Sequence, residues 1–151
     1  MGYIESAEWE LGKIDNVRKR IQSKKLELEA LRYKASGAGA IQYDKEKVQS
    51  SASGDLIAIV VEDIIRIENE IEEEEIELEK MKKKAYEVTK RIETIDHRTF
   101  IEWIYLNNAT MRSAAKKMFM SERSIYDLKK DALNSFGIAL SELQTVADGC
   151  I

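Results

Sequence analysis

Arg112, Lys116, Lys117, Ser121, Glu122, Arg123, Ser124, Tyr126, Asp127, Lys129 and Lys130 crowd into one short stretch of the chain. The chemistry they suit is recognition of nucleic acid, not bond making. Arg112, Lys116, Lys117, Lys129 and Lys130 are point charges and forks that match backbone phosphate. Ser121 is placed to cap a helix, whose free N–H groups and dipole favour a nearby phosphate. Glu122, Arg123, Ser124 and Asp127 then fall on the exposed first turns of that helix, where base edges are read. Tyr126 either reaches DNA or packs beside the preceding helix, and the sequence leaves both open. Nothing comparable suggests catalysis. His97 is the one histidine, so no acid–base pair or histidine metal site can be assembled. Its expected role is at a helix start or in packing. No glycine-rich phosphate loop, nucleophile elbow or CxxC is present. The one cysteine, Cys150, offers no disulfide or Cys-based metal site within a chain. The sequence therefore implies no enzyme and no cofactor.

These side chains need elements to hold them. Residues 109–136 read as two short helices joined by a tight turn, the second opening on Ser121. Ala115 is small where crossing helices must approach. Ala114, Met118, Ile125, Leu128 and Ala132 recur at helical spacing and close a small core. The layout is that of a helix-turn-helix. Gly137 is expected to stop the second helix, with a last short helix over 138–147. Upstream, 97–108 reads as a scaffold helix closed by Asn107 and Asn108. Phe100, Ile101, Trp103, Ile104, Tyr105 and Leu106 make it apolar on nearly every side. Met111, Met118 and Met120 read as core filler.

Two longer helices precede this unit. Residues 3–35 carry Ile4, Ala7, Leu11, Ile14, Ile21, Leu28 and Ala35 in steps built from three and four, interrupted by Arg18, Lys25 and Arg32 and flanked by Val17 and Leu31. The spacing predicts an amphipathic helix of about 47 Å. Residues 36–54 break the pattern with small and polar residues and read as a flexible connection, with Ser53 or Asp55 capping the second long helix. From 57 to 95, positions 57, 60, 64, 67, 71, 74, 78, 81, 85, 88, 92 and 95 step strictly by three and four, and only Glu74 among them is not apolar. That is a coiled-coil repeat. Glu74 either specifies register or marks a frayed seam. Ile57, Val60, Ile64, Ile67, Ile71, Leu78 and Met81 are the candidate oligomerisation residues. Val61, Ile65 and Ile76 lie off the seam and suggest a second packing partner. The expected arrangement is an antiparallel hairpin, within one chain or exchanged between two.

Composition bounds the alternatives. A chain of 151 residues without proline and with 34% charged residues suits long helices. A net charge of −4 excludes a generic polycation. Glu62–Glu79 holds ten acidic residues and one basic, whereas His97–Phe136 holds seven basic and four acidic, so the positive charge lies with the expected reader. The acidic run Glu72–Glu75 reads as a solvated helix face, with mimicry of DNA or capture of a basic partner as the alternative. No apolar stretch approaches the ~18 residues of a membrane span. The first residues are too acidic for a signal peptide, and lone cysteine usage fits a reducing cytoplasm.

The order of these pieces resembles the small phage-encoded ArpU/RinA-type late-gene transcription regulators of phages of Gram-positive bacteria. The resemblance rests on Val48-Gln49-Ser50-Ser51 with Asp55 following, then the long Ile/Glu/Lys helix. It continues through Arg98, Phe100-Ile101, Tyr105-Leu106, Ala115, Ser121, Ile125-Tyr126 and Ala132-Leu133 of a unit like region four of sigma factors. The chain departs from it with Met111 and Ala114-Ala115 in the first helix of the motif, where that group carries a Trp and an Ile-Ala pair. It departs again with Phe119-Met120 in a turn where glycine is common. The resemblance implies sequence-specific recognition of phage DNA, control of late-gene transcription, and by analogy contact with host RNA polymerase.

The reading is thus an all-α protein: an N-terminal helix over 1–35, a connection over 36–54, a coiled helix over 55–96 and a DNA-binding domain over 97–151. It would bind double-stranded DNA as a homo-oligomer, a dimer by preference, in the cytoplasm and nucleoid of a bacterial host, without membrane attachment. A DNA-packaging adaptor like a phage terminase small subunit is the alternative. A helical interaction protein that binds no nucleic acid is a third reading.

Overall fold

The computed structural model describes residues 2–36 and 50–147, with side chains from 54 onward in the second stretch. All the regular structure described is helical: α1 (Tyr3–Ala35), α2 (Ser50–Thr89), α3 (Ile95–Ile101), a π-helical turn (Glu102–Leu106), α4 (Met111–Lys117) and α5 (Glu122–Ala147). The chain divides into two compact units, Val17–Glu77 and Met1–Asn16 with Leu78–Ile151.

In Val17–Glu77, α1 and α2 run antiparallel. Partners descend along α2 as they ascend along α1: Arg20 meets Glu74 at 3.2 Å, Lys24 meets Glu70 at 3.8 Å, and Arg32 meets Glu68 at 3.6 Å. Val17, Ile21 and Leu28 of α1 and Ile67 and Ile71 of α2 are buried. Glu74 is answered by two cations, Arg20 and Lys24, the latter at 3.7 Å. The hydrogen bond from Arg20 holds the Glu74 carboxyl below its ordinary range, the charges of Arg20 and Lys24 adding to the effect and partial burial opposing it. Glu75 pairs with Lys25 at 3.4 Å. Part of the acidic run is therefore neutralised by the chain's own α1. The inward row of α1 passes through Val17 and Lys24, with Lys25 and Arg32 exposed. The row thus runs one residue ahead of the Arg18, Lys25 and Arg32 positions that interrupt the stripe in the sequence.

The second unit packs Ala7, Leu11 and Ile14 of α1 with Ala85, Val88 and Ile92. Phe100, Ile101 and Leu106 join them, with Ile125, Ala132, Leu133, Phe136, Ala139 and Leu140 of α5. Burying side chains the size of Phe100 and Phe136 stabilises by roughly 1.5–3 kcal/mol each. The connection after α2 is tied to α3 by Arg98, whose guanidinium donates to the Ile92 carbonyl at 2.6 and 3.2 Å. Those bonds satisfy a backbone carbonyl that lies outside any helix.

Several sequence boundaries move. The coiled helix starts at Ser50, so neither Ser53 nor Asp55 is its cap, and it ends at Thr89. Ile95, last of the seam positions, is 71% exposed. Residues 37–49 of the expected connection, with Val48-Gln49 of the junction, lie outside the described residues, as does Cys150. The scaffold helix is split between α3 and the π-turn, and Asn108 closes it with φ 55°. Gly137 stops nothing: α5 runs through it to Ala147, so 138–147 is no separate helix. A side chain at 137 would meet the Tyr3 backbone, its Cβ lying 2.6 Å from the Tyr3 carbonyl carbon. The glycine permits α1 and α5 to touch through their backbones. The C-terminal helices are also not a compact unit alone, since residues 1–16 and 78–96 complete it.

Of the seam residues, Ile67 and Ile71 are buried, Val60 and Ile64 are half-buried, and Leu78 and Met81 pack against the core of the second unit. Ile57 remains 47% exposed, and Val61, Ile65 and Ile76 are exposed beside it.

Candidate nucleic-acid interface

The α4–turn–α5 segment is built by local bonds that the sequence supplies. Thr110 opens α4 by accepting from the Ser113 N–H at 3.1 Å. The helix ends in a Schellman motif: Met120 N–H donates to the Ala115 carbonyl at 2.9 Å, and Phe119 N–H to that of Lys116 at 3.3 Å. Phe119 is the left-handed residue of that motif, with φ 57° and 97% exposure. Ser121 caps α5, accepting from Ser124 N–H at 3.1 Å while its hydroxyl donates to Ser124 Oγ at 2.9 Å.

The expected small core is present. Ala114, Ala115, Ile125 and Ala132 are buried, and Met118 and Leu128 pack against them. Their burial turns the polar residues outward. Lys116, Lys117, Ser121, Arg123, Ser124, Asp127 and Lys130 are exposed, and Lys129 is half-buried. Tyr126 is 56% exposed, which removes the choice of burial beside the scaffold helix.

Not every cation is equally free to meet a ligand. The Arg112 Nε lies 3.5 Å from Glu122 Oε1 and ties α4 to the first residue of α5. An open cleft of about 560 Å³ lies beside this pair, lined also by Thr110, Ser113, Lys116 and Met120. The Lys117 ammonium sits 5.5 Å from the centre of the Trp103 ring, a cation–π contact. Sequence reasoning missed Phe119 and Trp103 as members of this surface. The only signal for the first is a bulky residue where such turns ordinarily hold glycine.

Around the site, His97 Nδ1 bonds Ser135 Oγ at 2.7 Å and ties α3 to α5. Tyr105 packs edge-on to Phe100, and burial, with the Glu8 charge adding, pushes its phenol up to about 12. Among the described residues no cluster of His, Cys, Asp and Glu could hold a metal ion. No described helix is long and apolar enough to cross a membrane.

A family model described as Protein of unknown function (DUF1492) matches residues 39–136. The chain belongs to that family. No curated protein and no solved structure matches it. The DUF1492 match takes in α2, the scaffold helices, α4, the turn and α5 up to Phe136, and stops just before Gly137. It leaves out α1.

Proposed function

We propose that this DUF1492 protein binds double-stranded DNA at specific sites through α4, the turn and α5, and regulates phage late-gene transcription. It acts by binding and carries out no reaction. The observation that carries this reading is the two-helix unit itself. A Schellman turn and a serine cap join two helices whose small residues face each other and whose Arg112, Lys116, Arg123 and Lys130 face solvent. Such a unit presents the first turns of its second helix to a major groove, while the flanking cations meet phosphate and make affinity salt-dependent. The phage context, the host cytoplasm and nucleoid, and contact with RNA polymerase rest on the resemblance to ArpU/RinA-type regulators. Self-association, as a dimer on paired half-sites, is supported by Ile57, Val61 and Ile65, which α1 leaves exposed on α2.

The test is a binding selection with fragments of the source genome at two salt concentrations, with the Arg123→Ala, Lys129→Ala, Lys130→Ala triple variant as control. Enrichment of one site near a promoter, lost in the variant, is the expected result. A site beside packaging genes would replace regulation by the terminase-like role. No enrichment at low salt would refute DNA binding.

A further inference from the structure

The first two turns of α5 carry two carboxylates, Glu122 and Asp127, in a stretch otherwise rich in cations. On a surface that met only phosphate, each would weaken binding by repulsion. Glu122 is exposed at the first position of the helix, and Arg112 reaches across the turn to it. That pairing sets a cation beside the carboxylate at the tip of α5 and lowers its repulsion of the backbone. The Ser121 hydroxyl is not an alternative, because in the cap it donates to Ser124 Oγ and accepts from the Ser124 N–H. Arg123, beside Glu122, is exposed and suits guanine O6 and N7. A carboxylate has only acceptors, so its base-edge partner must be an exocyclic amino donor, ordinarily cytosine N4.

We infer that Glu122, braced by Arg112, is a specificity-determining residue that reads a base amino group, that of cytosine, in the major groove. This rests on the DNA-binding reading above. The residue selects rather than strengthens: it lowers affinity for DNA in general and restores it where the amino group is present.

The experiment selects from a randomised duplex library with the full chain and its Glu122→Ala and Glu122→Gln variants. The wild type should prefer C·G at one position by about tenfold, the scale of one good base contact. Glu122→Ala should lose the preference at that position alone while binding unrelated DNA more tightly. Glu122→Gln should move the preference to adenine, whose N6 and N7 match a carboxamide. An adenine preference in the wild type that Glu122→Ala abolishes would support the same amino-group chemistry with the other base as its source. Wild-type selection of a site whose preferences both variants leave intact would overturn this inference and leave DNA binding standing. A wild type that selects nothing would overturn both.

Discussion

Replacing Phe119 by glycine should make the protein more stable. The residue is held at φ 57° by the two Schellman hydrogen bonds, and its ring is 97% exposed. A left-handed conformation costs an L-residue roughly 1–2 kcal/mol, and glycine escapes that cost. Against this stands the greater freedom of glycine in the unfolded chain, roughly 0.5–1 kcal/mol. Because the ring is solvated, removing it forfeits almost no burial. The net expectation is a gain of about 0.5–1 kcal/mol, or a melting temperature higher by about 1–4 °C for a chain of this size. Phe119→Ala separates the causes, since alanine keeps the Cβ and the strain while removing the ring, and should leave stability unchanged to within about 0.5 kcal/mol. Chemical denaturation of the three proteins, followed by far-ultraviolet circular dichroism, reads the differences directly. The reasoning fails if Phe119→Gly is less stable than the wild type, because the ring would then be packed. It fails equally if Phe119→Ala gains as much as Phe119→Gly, because the backbone would then carry no strain.

Gly137→Ala should destabilise despite improving helix propensity by about 1 kcal/mol. The new methyl meets the Tyr3 backbone, which cannot rotate aside as a side chain can, and overpacking of this kind costs roughly 1–3 kcal/mol. Hydrogen exchange should quicken in the first turns of α1, and a rise in melting temperature would show that the contact is absent in solution. Glu74 should make the α1–α2 pairing acid-sensitive. Its carboxyl is held below the ordinary range, so its contribution is complete above that range and is lost as pH falls through the lowered value. Glu74→Gln should flatten that part of the acid titration of helicity, and added salt should do the same to the wild type because Arg20 is 54% exposed. Superimposable acid profiles would remove Glu74 from the account.

The pattern of the sequence anticipated what depends on neighbours in the chain. The seam that steps by three and four along α2 does turn inward from Val60 to Val88, and the alanines and Ile125 of the two-helix unit are buried as their spacing requires. What it missed depends on partners far away. A glycine that ends a helix and one that lets another backbone approach are the same residue, and only Tyr3 distinguishes them. The inward row of α1 could not be assigned to Lys24 over Lys25 until Glu70 and Glu74 stood opposite. The π-turn over Glu102–Leu106 left no trace in a segment apolar on nearly every side. Of the interface, the outward cations were legible from composition. Which of them are already tied, Arg112 to Glu122 and Lys117 to Trp103, is set by packing across the turn.

The meeting of Tyr3 with Gly137 joins two residues far apart in sequence, and that orders events during synthesis. As the chain leaves the ribosome, α1 emerges before α5 and waits for it to finish its seat. Until then the core that holds Ala7, Leu11 and Ile14 lacks Ile125, Leu133, Phe136 and the other residues of α5. Contacts of such long sequence separation slow folding, because the loop between them must close before they contribute. The local helices around the turn can form early, but the unit that holds them becomes stable only once residue 137 has been made. A nascent chain truncated before Gly137 should therefore be one that chaperones hold.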